Sequence, residues 1–397
     1  MATDNIMAVV AGFRPLARLH HPREVIRQFT PNWFAMTMGT GVLALALAQL
    51  PWAGAALLRL AEALWGLAAM LFVLFSLLYA ARWVLFFEEA RRIFGHATVS
   101  MFIGTIPMGL ATLLNGLLLF GVPRWGAAAV SLAETLWWLD VAMALACGVC
   151  IPYLMFTRQR HRIDEMTAVW LLPVVAAEVA AVSGALLAGH LPDMDSRYRV
   201  LLASYVLWAY SMPVAFSILV ILFLRIALHR LPPANMAASS WLALGPIGTG
   251  ALGMLVLGEQ APAVFAAQGL ASVGAMAHGL GVVAATLLWG CGVWWLLLAV
   301  LVTARYLRTG LPFNLGWWAF TFPLGVYALA TLKLGALFGH PFFDMMGTVL
   351  VAWLAVLWCL VTVRTLEGAW RGHLFVAPCL AHGQGMPGQG LDGERCR

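Results

Sequence analysis

The chain alternates long apolar runs with short polar connectors. Ten runs stand out, at about 31–50, 61–87, 98–120, 127–156, 166–188, 198–228, 239–257, 271–303, 314–337 and 345–370. Each reaches or approaches the ~20 residues that a ~30 Å hydrocarbon core requires. Several even-numbered runs are much longer, so they tilt or extend beyond the hydrocarbon. The pattern predicts an all-α polytopic membrane protein of ten transmembrane helices in five helical hairpins. Residues 1–28 read as a cytoplasmic N-terminal segment and 29–372 as the transmembrane domain. Residues 373–397, rich in Gly and Pro, read as a disordered cytoplasmic tail.

The odd-numbered runs share a second feature, a Pro or Gly interruption. They read Trp33-Phe-Ala-Met-Thr-Met-Gly39-Thr-Gly41, Phe102-Ile-Gly-Thr-Ile-Pro107, Trp170-Leu-Leu-Pro173, Trp241-Leu-Ala-Leu-Gly-Pro246 and Trp317-Trp-Ala-Phe-Thr-Phe-Pro323. Successive interruptions lie 66 to 77 residues apart. Each falls some seven to ten residues into its run, roughly 11–15 Å at ~1.5 Å per residue, near the midplane. Even-numbered runs mostly lack such breaks; Pro213 is the exception, and Pro152 lies at an end. A spanning helix tolerates a break only where protein or a watery cavity receives the freed backbone groups. Five breaks at one depth therefore predict a ring of broken helices around a pathway, at the interface of repeated units.

Composition agrees with a membrane protein. The 397 residues are 62% hydrophobic and 10% charged, with a mean hydropathy of +0.88. Soluble domains carry about 25% charged residues. No cleavable signal is expected, because the first 30 residues are polar and Arg-rich. Net charge is +6, and Lys333 is the single lysine among 23 basic residues. With the N-terminus inside, 18 of the 23 fall in cytoplasmic segments. That positive-inside bias puts both termini in the cytoplasm and fits a multi-pass protein of a bacterial inner (plasma) membrane. The arginines occupy short loops and the two ends, so no nucleic-acid partner is expected. Cys147, Cys150, Cys291 and Cys359 lie in apolar runs, where Cys packs as a small hydrophobe.

Few residues at membrane depth can ionise: Glu134, Asp140, Glu178, Glu259, Lys333 and His278. Such residues are functional candidates by default. Lys333 suits two roles, drawing an anion into a vestibule or snorkelling to the interface. Glu178 suits a proton-linked carboxylate or a structural hydrogen bond. His278 is the one deeply placed histidine, and one histidine cannot supply both axial ligands of a haem. No metal-ligand spacing is visible, and no cofactor is expected. The breaks are lined by small uncharged residues, including Gly39, Gly41, Gly245 and Gly248, with Pro107, Pro173, Pro246 and Pro323 beside them. There is no acidic ring of the kind cation channels use. Helix N-termini exposed at the breaks favour a negative cargo. Phe322, immediately before Pro323, is the first candidate for a gating ring, with Phe320 second.

The segment Phe29-Thr-Pro-Asn-Trp-Phe-Ala-Met-Thr-Met-Gly-Thr-Gly41 resembles the opening motif of the tellurite-resistance/dicarboxylate transporter family. That family includes the bacterial tellurite-resistance protein TehA, plant slow anion channels, the fungal malate permease and the fungal sulfite efflux pump. Trp241-Leu-Ala-Leu-Gly-Pro-Ile-Gly-Thr-Gly250 and Trp317-Trp-Ala-Phe-Thr-Phe-Pro-Leu-Gly-Val326 look closest to the malate/sulfite branch. The likeness covers about residues 29 to 371. It implies a central pore in each subunit, lined by the odd-numbered helices, and a homotrimer. It also implies a gating phenylalanine in the ninth helix, at the position of Phe322. The expectation is a carrier of small anions, sulfite or C4-dicarboxylates such as malate, and not an enzyme. A membrane-embedded redox or enzyme subunit is the alternative.

Overall fold

The computed structural model of the chain describes Leu16, Leu19 and residues 21–381. Among these residues there is no strand, and ten long helices dominate. The turn Pro31–Trp33 leads into α1, Phe34–Ala48. The others are α2 Ala55–Leu85, α3 Val99–Trp125, α4 Ala127–Thr157, α5 Ala168–Ala188, α6 Met194–His229, α7 Ala234–Ala267, α8 Ala271–Thr309, α9 Leu315–Phe338 and α10 Pro341–Arg371. All but α1 are individually long and apolar enough to cross a membrane.

Odd and even helices occupy different layers. Each odd helix packs on the next, α1 on α3, α3 on α5, α5 on α7 and α7 on α9. Then α9 packs back on α1 and closes a ring of five. The odd helices are buried almost throughout, whereas even helices expose large apolar side chains such as Leu77, Val220 and Leu287. Those faces meet lipid, where an exposed Leu carries no penalty. Small residues allow the inner helices to approach closely, as in membrane bundles generally. On α5 the small residues Ala176, Ala177, Ala180, Ala181, Gly184, Ala185 and Ala188 are all buried.

The hairpins are tied at the end where the odd helices begin. In four of them, a side chain at or just past the end of the even helix donates to a carbonyl in the segment leading into its own odd helix. Arg82 donates to the Phe29 carbonyl, Gln159 to Phe94 (2.9 Å), Arg225 to Asp164 and Tyr306 to Pro232. Two of the arginines counted as loop charges are therefore built into the fold. Arg82 is fully buried and Arg225 nearly so.

The predicted breaks take a specific form. Every odd helix starts as a 3-10 turn and changes to α-helix in mid-course. The 3-10 segments are Pro31–Trp33, Val99–Gly104, Ala168–Leu171, Ala234–Ala243 and Leu315–Phe320. Pro173 and Pro323 fall at the start of the α segment, and Pro107 and Pro246 in its first turn. Proline is tolerated there because no intrahelical N–H is lost. Gly39 and Gly41 differ from expectation. They lie inside an unbroken α1, whose joint is at Trp33 and Phe34. Their role is close approach: a Cβ at Gly39 would strike Thr321 and Trp318, and one at Gly41 would strike Thr112.

The tail expectation divides in two. Residues 382–397 lie outside the described residues. Residues 373–381 are packed back onto the ring mouth. Phe375 stacks on Trp33 (centroids 5.0 Å), the Ala377 N–H donates to Gln28 (2.8 Å), and Cys379 is buried against the Arg82 guanidinium (3.6 Å). Leu374 and Phe375 explain this packing, since they gain burial that a Gly/Pro-rich stretch cannot, while Val376 stays exposed.

Candidate functional site

A cavity of about 610 Å³ opens at the N-terminal mouth of the five-helix ring. All five odd helices, or the segments just before them, contribute wall: Asn32 and Met38 from the first, Thr98, Thr105 and Met108 from the second. Val175 comes from α5, Ser239, Gly245 and Pro246 from α7, and Trp318, Phe322 and Pro323 from α9. His373, Leu374, Val376 and Pro378 of the C-terminal segment form part of the rim. The volume lies in the range of small-molecule sites, about 300–1,000 Å³.

Among the described residues, no Asp, Glu, Lys or Arg is part of the wall. The polar groups are hydroxyls, amides and imidazoles. Asn32 lines the cavity, and its Oδ1 is buried without a hydrogen-bond partner. The Thr105 and Ser239 hydroxyls donate to main-chain carbonyls. A wall without a carboxylate among the described residues sets up no attraction for a cation.

The helix ends were expected to expose N–H donors at the midplane. The 3-10 turns alter that picture. The first α N–H of Phe34, Thr105, Leu172 and Leu244 already donates to a carbonyl of the preceding turn. The aligned dipoles therefore run unbroken to the mouth, and five positive helix ends converge there instead. The joint of α9 is the exception. Thr321 stands between its 3-10 turn and its α-helix, with φ −95° and ψ −66°, and Phe322 and Pro323 follow at once.

Phe322 and Phe320 have different surroundings. Phe322 lines the cavity, and among the described residues it pairs with no other aromatic ring. Phe320 is off the wall, held edge-on by Trp241 (5.4 Å) and Trp317 (5.7 Å). Of the other residues singled out in the sequence, Gly245, Pro246 and Pro323 line the cavity, while Gly39, Gly41, Pro107, Pro173 and Gly248 do not. Gly248 instead lets α7 meet the α9 backbone at Tyr327, which a Cβ would approach to 2.8 Å.

The charged candidates are not gathered at one point. Lys333 is ion-paired with Glu259 at 2.6 Å, joining α9 to α7 towards the far end of the ring. It is about one-third exposed and is neither a free vestibule charge nor a simple snorkelling side chain. His278 shares a 3.1 Å hydrogen bond with the Gly258 carbonyl in the α7–α8 contact, away from the cavity. Glu178 is fully buried at the junction of α5, α6 and α7. Sequence reasoning missed Asn32, Thr105 and the rim formed by residues 373–378. Asn32 and Thr105 stood inside the motifs already singled out. The Leu374-Phe375-Val376 cluster was the only local signal for the rim.

The fold and the site together define a class: a multi-pass membrane protein with a cavity, uncharged among the described residues, at the mouth of a ring of five inner helices. Comparison with known proteins gives the family. The sequence model of the voltage-dependent anion channel (SLAC1) family matches residues 28–366, and the chain belongs to that family. A sulfite efflux pump of Arthroderma benhamiae is 37% identical over 352 residues, covering 88% of this chain and 93% of that protein. An uncharacterized transporter of Methanocaldococcus jannaschii is 26% identical over 363 residues, covering 89% and 96%. The malic acid transport protein of Schizosaccharomyces pombe is 24% identical over 351 residues, covering 85% and 77%. Transport of anions across a membrane is the function of this chain.

Proposed function

We propose that the protein carries small oxyanions, sulfite first and C4-dicarboxylates such as malate second, through the centre of the five-helix ring. The observation that carries this reading is a cavity lined by all five ring helices, bordered by Phe322 and holding no carboxylate among the described residues. The anion is drawn to the mouth by five converging helix dipoles. It exchanges water for polar groups on the wall, including the Asn32 amide. It then meets the Phe322 ring, which closes the apolar floor and opens by rotation about the α9 joint. Names of the relatives support sulfite ahead of malate, since identity is higher to the sulfite efflux pump (37%) than to the malic acid transport protein (24%). The protein works without chemistry on its cargo and is not an enzyme. It resides in a bacterial inner membrane with both termini cytoplasmic, the orientation that the arginine bias favours. Its oligomer is a homotrimer with one conduit per subunit.

Purified protein in liposomes, challenged with sulfite, malate and nitrate gradients, tests the reading. Sulfite flux above that of protein-free vesicles is expected. Flux of none of the three would sink the proposal. Malate flux without sulfite flux would reverse the order of substrates.

A further inference from the structure

Glu178 is a fully buried carboxylate to which the conduction path so far gives no task. Val175 and Pro246 are the deepest wall residues that α5 and α7 contribute to the cavity. Glu178 is three residues beyond Val175, and Gly250 is four beyond Pro246. On an α-helix both steps continue the same face by about one turn, roughly 5 Å deeper. The two positions meet: a Cβ on Gly250 would stand 3.0 Å from Glu178 Oε1. Met212 of α6 comes closer still to that point, so the carboxyl lies in the seam between the ring helices α5 and α7 with α6 behind it, about one turn deeper than Val175 and Pro246.

Its partners are few. Ser211 Oγ of α6 lies 3.4 Å from Oε2 and 2.9 Å from the Val174 carbonyl, so its one proton is shared between two acceptors. Oε1 has no hydrogen-bond partner. Around it, α6 presents Ser211 and Met212, and α7 presents Gly250. On α4, Trp137 donates to the Ala180 carbonyl of α5. Asp140 of α4, one turn beyond Trp137, is itself fully buried with both oxygens unpartnered. No cation among the described residues is paired with Glu178. A bare carboxylate in that setting lacks the cation or the several donors that burial demands. A bound proton supplies what is missing and turns one oxygen into a donor.

We propose that Glu178 is a proton-binding site in the wall of the anion path, and that anions pass while its carboxyl holds a proton. This rests on the conduction reading above. Loss of the proton places one negative charge beside the path, about one turn deeper than Val175 and Pro246, and that charge repels the cargo. Regaining the proton removes it.

Nitrate is the probe, because its charge is constant where sulfite gains and loses a proton. Wild-type nitrate flux in proteoliposomes is expected to fall about tenfold as pH on both sides rises from about 5 to about 8, the scale of one unit charge near the path. Glu178→Gln, neutral at every pH, is expected to give a flat, high profile, and Asp140→Asn to keep the wild-type profile. Infrared difference spectra read the proton without any flux. A protonated-carboxyl C=O band that fades as pH rises is expected in wild type and Asp140→Asn and absent from Glu178→Gln. A pH-independent wild-type flux, or a Glu178→Gln profile that follows wild type, overturns the proposal. So does the lack of a Glu178-dependent band. A titrating band in a protein that passes no anion overturns the conduction reading instead.

Discussion

Helices α5 and α2 are about equally apolar, yet they occupy opposite environments. Of the most apolar stretch of α5, 94% is buried inside the protein; of α2, 11%. Hydropathy does not separate them, because in a bilayer the solvent is as apolar as the core. Side-chain size does. The helix α5 is largely Ala, Val and Gly, while α2 carries Leu, Phe, Met and Trp along its length. Without a hydrophobic drive between helices, close packing decides who is inside, and small residues pack closest. Close glycine contacts occur in both layers, at Gly39, Gly41, Gly248 and Gly250 of odd helices and at Gly281, Gly292 and Gly347 of even ones, whereas the exposed Leu and Val are concentrated on the even helices.

Filling an inner contact is the most damaging way to break that division. Gly248→Leu is expected to cost about 3 kcal/mol or more, since the α7–α9 crossing at Tyr327 has no room for a side chain. Leu77→Ala on the lipid face is expected to cost less than about 0.5 kcal/mol. Thermal unfolding in detergent compares the two, and equal losses would contradict the division into layers.

The two phenylalanines of α9 sharpen the comparison within a single element. Phe322→Ala is expected to raise anion conductance in liposomes by about tenfold or more, equivalent to ~1.4 kcal/mol off the barrier. Phe320→Ala is expected to lower stability through its lost contacts with Trp241 and Trp317 and to leave conductance near wild type. Conductance that is unchanged in Phe322→Ala would remove the gate assignment.

A smaller effect is expected at the mouth. Ending the chain at Gly372 removes His373, Leu374, Val376 and Pro378 from the rim. Flux should rise about fivefold, or ~1 kcal/mol, if the rim restricts access. A fall in flux would show that the segment props the mouth open.

Only a modest effect belongs to the far end. Breaking the Lys333–Glu259 pair with Lys333→Met is expected to cost at most about 1 kcal/mol, because both partners are partly exposed. A larger loss, measured by the same thermal unfolding, would assign the pair a structural load beyond its electrostatics.

Much of the architecture was legible in advance because it rests on local chemistry. Backbone satisfaction in lipid forces apolar runs into helices. Proline favours helix starts, so Pro107, Pro173, Pro246 and Pro323 marked the 3-10 to α joints, while Pro152, Pro213 and Pro262 stand inside helices. Gly39 and Gly41 misled for the opposite reason. A glycine signals either a bent backbone or a close neighbour, and only the neighbour, here Thr321, Trp318 and Thr112, distinguishes them.

The candidate site was less legible. Phe322 and Phe320 are identical side chains two residues apart, and the aromatic pocket that holds one and frees the other is assembled partly from α7. Asn32 matters through its place on the cavity wall, and the rim through a segment that returns from beyond α10.

The sequence by itself determined the ten helices, their pairing into hairpins, the special character of the odd-numbered members and the family. Each depends on the transfer of a run of residues from water to lipid, or on the dihedral limits of Pro. Tertiary structure alone decided which glycines are contacts, which phenylalanine faces the cavity and which charge Lys333 meets. Those outcomes depend on shape complementarity between helices far apart in the chain, and no local pattern encodes which surfaces will touch.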